Sequence, residues 1–80
     1  MTYALYYYDS CPFCQMVLRT LPGLNVDVEK CNVQKNPAYR KQQQQATGRT
    51  TVPCLLITSE QGKEEWMFES ADIMTYLQSL

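Results

Sequence analysis

Eighty residues, 45% apolar and 19% charged with a net charge of −1, predict one small globular domain spanning residues 1–80, which buries only about 60–65% of its unfolded surface. The near-neutral, slightly acidic balance excludes a chain built for nucleic acid or an anionic membrane surface, and no stretch reaches the ~20 apolar residues that span a bilayer. Met1-Thr2-Tyr3-Ala4 has no basic region, so no secretory leader is expected. Four cysteines in a chain of cytoplasmic character are more often redox-active, metal-binding or buried than a disulfide framework.

Thr2 to Tyr8 is nearly continuous in aromatic and aliphatic residues, the pattern of a central strand buried on both faces. Asp9-Ser10 turns the chain into Cys11-Pro12-Phe13-Cys14. A helix is predicted over Pro12 to Leu21, with Cys14, Val17, Leu18 and Leu21 on one stripe, and Pro22-Gly23 ends it. Asn25 to Val33 contains a second strand, with Val26 and Val28 on one face and Asp27 and Glu29 on the other. Asn36-Pro37 reads as the cap and first position of a helix over Pro37 to Thr47 that closes at Gly48. The apolar face of that helix is thin (Ala38, Tyr39 and Ala46), and Gln42 to Gln45 are expected on a solvated face. Arg49-Thr50-Thr51-Val52-Pro53 leads into a third strand, Cys54 to Thr58. Ser59 to Lys63 turns into a fourth, Glu64 to Phe68, as a hairpin. Ser70 is the expected cap of a last helix, with Ile73, Tyr76, Leu77 and Leu80 at helical spacing. The order β-α-β-α-β-β-α predicts an α/β fold. Its four-stranded mixed sheet is parallel through the early crossovers, antiparallel in the late hairpin, and flanked by three helices.

The chemistry concentrates in Cys11-Pro12-Phe13-Cys14. Cys11 stands where a helix begins, and Pro12 suits the first helical position because its missing N–H has no intrahelical partner there. The unpaired N–H groups and the positive end of the helix dipole favour a thiolate, which is the nucleophilic form of cysteine. Cys14 lies one turn on, within reach of a mixed disulfide formed on Cys11. Cys11 is therefore read as the attacking thiol and Cys14 as the resolving one. A CxxC pair is also half of a zinc site. The chain has no histidine, and Cys31 and Cys54 stand far apart, so the second half is missing and no metal is expected. Cys54 is read as a small core residue or a third thiol near the site, and Cys31 as structural.

The element order, with CPFC after the first strand and Thr51-Val52-Pro53 before the third, resembles the glutaredoxins of the thioredoxin superfamily. The resemblance covers the whole chain and rests on Tyr6 to Cys14, Gly48 to Ile57 and Glu69 to Leu77. Glu69-Ser70-Ala71-Asp72-Ile73 is also similar to the glutathione-binding segment of the N-terminal domain of glutathione transferases. The resemblance implies a thioredoxin-like fold, a cis Val52–Pro53 bond, and glutathione as reductant and co-substrate. Val52 N–H and C=O would pair with the cysteinyl backbone of glutathione. Ser70 and the Ala71 N–H would take the γ-glutamyl carboxylate at a helix N-terminus. Asp72 would face the γ-glutamyl ammonium, with Glu69 assisting, and Arg40 would reach the glycyl carboxylate as a bidentate partner. Tyr8, Phe13, Thr51 and Pro53 complete the implied set. Tyr8 stands where most glutaredoxins carry Lys or Arg, which removes one cation beside the thiolate. Phe13 replaces the commoner tyrosine, keeping the apolar wall and losing a hydroxyl.

The resemblance therefore implies a monomeric cytoplasmic oxidoreductase that reduces protein disulfides or glutathionylated proteins. Two other classes fit the motif. A thioredoxin-like dithiol reductase recycled by a flavoenzyme would ignore glutathione. A carrier of an iron–sulfur cluster or zinc would bind it at Cys11, although cluster-carrying glutaredoxins usually read CGFS, without proline after the first cysteine.

Overall fold

The computed structural model describes residues 1–80. Its elements are β1 (Thr2–Tyr7), α1 (Pro12–Thr20), a 3₁₀ turn over Leu21–Gly23, β2 (Val28–Asn32), α2 (Pro37–Thr47), β3 (Cys54–Thr58), β4 (Glu64–Phe68) and α3 (Ser70–Gln78). The sheet runs β2-β1-β3-β4. β1 is parallel to β2 and antiparallel to β3, and β3 is antiparallel to β4. No helix is long and apolar enough to cross a membrane.

The interior position of β1 explains its continuous apolar run, because successive side chains serve two different cores. Leu5 joins Val17, Leu55, Ile57, Ile73 and Leu77 beneath α1 and α3. Ala4 and Tyr6 join Cys31, Val33, Cys54 and Leu56 on the opposite face, against Tyr39 of α2. Tyr6 lies opposite Cys31 on one side and Cys54 on the other. Cys31 and Cys54 therefore belong to strands two places apart, roughly 9–10 Å across the sheet at ~4.8 Å per strand, too far for a disulfide.

Several boundaries and faces differ from the sequence pattern. Tyr8 falls outside β1, and Leu21 belongs to the 3₁₀ turn, since Pro22 cannot continue the α-helical ladder. Val26 precedes β2, which starts at Val28. Leu80 lies beyond α3 and is 56% exposed. The inner face of α2 is Tyr39, Gln43 and Thr47, spaced four residues apart, whereas Ala38 and Ala46 point to solvent. Gln43 is fully buried, which corrects the assignment of all four glutamines to a solvated face.

Burial pushes the thiols of Cys14, Cys31 and Cys54 up to about 12, about 11 and about 12. Below pH 9 these groups are protonated whether the chain is folded or not. Above pH 9 the unfolded chain loses those protons first, so the folded state is destabilised as pH rises toward 11–12. The urea midpoint of the reduced protein is expected to fall steadily above pH 9. A Cys31→Ala/Cys54→Ala double variant should show a shallower fall, and an identical slope would contradict this origin.

Candidate active site

Cys11 is the N-cap of α1. Its backbone is extended, with φ −83° and ψ 115°, and Pro12 follows as the first helical residue. The Cys14 backbone N–H donates to Cys11 Sγ at 3.3 Å. A thiol sulfur thus occupies the place that a serine or aspartate oxygen fills in ordinary caps, and the helix N-terminus stabilises negative charge on it. The turn ahead of it is braced. Cys11 N–H donates to the Tyr8 carbonyl at 3.3 Å, and Gln15 Nε2 donates to the Asp9 carbonyl at 2.7 Å. Asn32 Nδ2 reaches Asp9 Oδ2 at 3.4 Å.

Cys14 is fully buried, and Cys11 is 5% exposed. No disulfide joins them in this structure. Burial is the main reason the Cys14 thiol is raised. Its hydrogen bond with the Cys11 thiol and the charge on Cys11 add to this, and a backbone hydrogen bond with Tyr8 pulls the other way.

A cavity of about 230 Å³ is lined by Phe13 of this motif together with Arg49, Thr51, Val52, Pro53, Phe68, Glu69 and Ser70. The Val52–Pro53 bond is cis. Three segments far apart in the chain thus meet: the CPFC turn, the loop before β3, and the junction of β4 with α3. Six of the ten residues expected around a ligand line this cavity: Phe13, Thr51, Val52, Pro53, Glu69 and Ser70. Tyr8, Arg40, Ala71 and Asp72 do not. Tyr8 is half-buried and packs against the core on the α2 side of the sheet. Arg40 is exposed on α2, one residue past the inward-facing Tyr39. Ala71 and Asp72 lie in the first turn of α3, exposed.

The sequence pattern missed two cavity residues, Phe68 and the cation Arg49. The Arg49 guanidinium carbon lies 4.0 Å from the centre of the Phe68 ring, a cation–π contact that holds the charge at the wall. The available signal was position: Arg49 is the cation nearest to the cis-proline in the chain. Its charge also lowers Cys54 against the larger effect of burial.

Ser70 is the first residue of α3 rather than its cap. The cap is Glu69, which makes no side-chain hydrogen bond to the helix and has φ 74° and ψ 117°. It is the only non-glycine residue with positive φ. Such a conformation costs of order 1–3 kcal/mol and occurs preferentially at binding sites. Glu69→Gly is expected to raise the unfolding free energy by about 1 kcal/mol, after allowing for glycine's freer unfolded chain. Urea denaturation checks this, and a destabilised variant would show that the Glu69 side chain contributes more than its backbone costs.

A larger groove of about 690 Å³ lies on the α2 side of the sheet, over Ala4, Tyr6, Cys31 and Leu56. No residue of the CPFC turn lines it, whereas Phe13, between the two cysteines, lines the smaller cavity, so the smaller cavity is the one beside the dithiol. No group of three or more His, Cys, Asp or Glu side chains is placed to hold a metal ion.

A four-stranded mixed sheet with a cysteine-capped first helix opposite a cis-proline loop defines a thioredoxin-like protein. The solved structures agree. The thioredoxin-like protein BC3987 superposes with a TM-score of 0.71 at 24% identity, over 95% of this chain and all of that one. The trimeric glutathione transferase TDR1 of Leishmania gives 0.72 at 27% identity over 98% of this chain. An epsilon-class glutathione S-transferase from the housefly, Musca domestica, gives 0.69 at 26% over 98%. This chain spans 17% and 34% of those two transferase chains. The glutaredoxin family model matches residues 3–61, and the chain belongs to the glutaredoxin family. The comparison with curated protein sequences gives no match. Family membership supports a thiol oxidoreductase type of function.

Proposed function

We propose that this chain, acting as one domain over residues 1–80, is a glutathione-dependent thiol–disulfide oxidoreductase that reduces glutathionylated proteins. The carrying observation is that the helix capped by Cys11 borders, through Phe13, a cavity shared with the cis-proline loop and the start of α3. The likeness of the fold to proteins described as glutathione transferases supports glutathione as the small thiol.

Cys11 thiolate attacks the glutathione sulfur of the mixed disulfide. A Cys11–glutathione disulfide forms as the substrate bond breaks, and the protein thiolate leaves and takes a proton from water. The thiolate of a second glutathione attacks the bound glutathione, which departs as glutathione disulfide and regenerates Cys11. Each cycle converts one mixed disulfide and one thiol into one protein thiol and one glutathione disulfide. During the first step Val52 offers its backbone N–H and C=O to the cysteinyl unit of the bound glutathione. The first turn of α3, with Ser70, Ala71 and Asp72, takes the γ-glutamyl end, and Glu69 sets the entry of the chain into that turn. Phe13 and Pro53 form apolar walls, and Thr51 borders the opening. Arg49 supplies the cation of the cavity in place of Arg40, and offsets the missing cation at Tyr8.

The dithiol route is the slower branch. Cys14 must lose a proton from a fully buried position, where its thiol is held near 12. The need for reduced glutathione suits the cytoplasm, and the site is complete within one chain, consistent with a monomer. The test is turnover of a glutathionylated peptide by the reduced wild-type protein, with glutathione reductase and NADPH recycling the product. Glutathione-dependent turnover supports the reading. No turnover with glutathione, but reduction of a protein disulfide with thioredoxin reductase, would replace it with the thioredoxin-like class.

A further inference from the structure

We propose that Gln43 is a positioning residue for the cis-proline loop, fixing Val52 through the carbonyl of Thr51. Gln43 is fully buried in a helix whose other three consecutive glutamines are exposed. Its Nε2 donates to the Thr51 carbonyl at 2.8 Å, across a separation of eight residues. Its Oε1 has no partner. Reversing the amide would set two acceptors against each other, so the donor orientation toward Thr51 is the one that chemistry allows. A buried acceptor without a partner is a destabilising feature, which an apolar side chain of the same length would lack. The single polar contact this side chain makes is therefore directed at the loop.

The same helix end fastens the rest of the loop. Thr47 Oγ1 donates to the Gln43 carbonyl at 2.9 Å and accepts from the Arg49 backbone N–H at 3.0 Å. Gly48 closes α2 with φ 75°, a left-handed turn open to glycine without a Cβ penalty. Arg49 and Thr51, both cavity-lining, are tied to the inner face of α2, Arg49 by its N–H and carbonyl at Thr47 Oγ1 and Thr51 by its carbonyl at Gln43. From Thr50 to Pro53 the Gln43 amide makes the one side-chain hydrogen bond from α2, so its loss frees Thr51 and Val52 together.

The test is Gln43→Met, which keeps the length and apolar stem but removes the donor. Two readouts separate positioning from bulk stability. The first is the backbone ¹⁵N order parameter at Thr51 and Val52, which is expected to fall from about 0.85 to below 0.6 while β1 and β3 stay rigid. The second rests on the proposed glutathione reading: KM for the glutathionylated peptide should rise about tenfold, with kcat within twofold of wild type. A folded variant with unchanged order parameters and unchanged KM would overturn the proposal. If the wild type shows no glutathione turnover, the order parameters alone decide it, and that failure falls on the proposed function only. If the variant does not fold, the wild type decides. A scalar coupling across the hydrogen bond from Gln43 Nε2 to the Thr51 carbonyl carbon is expected, and its absence would overturn the proposal.

Discussion

Cys11→Ser is expected to abolish glutathione-dependent turnover, whereas Cys14→Ser should stay within about tenfold of wild type, a barrier change below ~1.4 kcal/mol. The asymmetry follows from the positions of the two sulfurs. Cys11 Sγ caps α1 and receives the Cys14 backbone N–H, so negative charge on it is stabilised, and a serine hydroxyl there is far too weak an acid to supply the anion. Cys14 contributes that N–H from its backbone, which Cys14→Ser leaves in place. Its own thiol is buried and held near 12, so it is a poor attacking group at neutral pH. Peptide turnover with glutathione reductase measures both variants. Loss of activity in Cys14→Ser would mean that the buried thiol resolves the intermediate after all, and the dithiol route would then be the main one.

Ile73→Ala is expected to destabilise the fold by about 2–5 kcal/mol. The total for 80 residues is roughly 4–12 kcal/mol, so the variant stands close to half-unfolded at its lower bound. Ile73 is fully buried and packs with Leu5, Val17, Leu55, Ile57 and Leu77, which joins α3 to α1 and to the two central strands. It also carries the first hydrogen bond of α3, from its N–H to the Glu69 carbonyl at 3.0 Å. The cavity at Ile73 would therefore loosen the same helix whose start borders the active site. Thermal unfolding should show a fall in Tm of about 10 °C or more. A loss below 1 kcal/mol would mean that α3 is not docked through this contact.

The architecture was legible because three local signals agreed. The uninterrupted apolar run of β1 announced a strand covered on both sides. Pro12 and Pro37 each marked a helix start, and both stand at the first helical position. The CPFC and Thr51-Val52-Pro53 segments located two walls of the site. What stayed hidden depends on distances across the fold. Glutamine is a good helix former and a usual surface residue, so nothing local singles out Gln43 from Gln42, Gln44 and Gln45; its burial is decided by a loop eight residues away. Arg40 and Arg49 look equally suitable for an anion, and only the packing of Arg49 on Phe68 separates them. The positive φ of Glu69 has no sequence signature, because a glycine, asparagine or aspartate is the residue such a conformation ordinarily selects.

The order β2-β1-β3-β4 also bears on how copies of the chain avoid one another. The uncharged, β-branched and aliphatic stretch Cys54 to Ile57 belongs to an inner strand with neighbours on both sides. The two outer strands carry exposed charges: Glu29 and Lys30 on β2, Glu64 and Glu65 on β4. Charged side chains on outer strands oppose the stacking of sheets edge to edge. The protein thus keeps an apolar segment in the middle of the sheet and charged residues at the rim, which opposes pairing of copies through their outer strands.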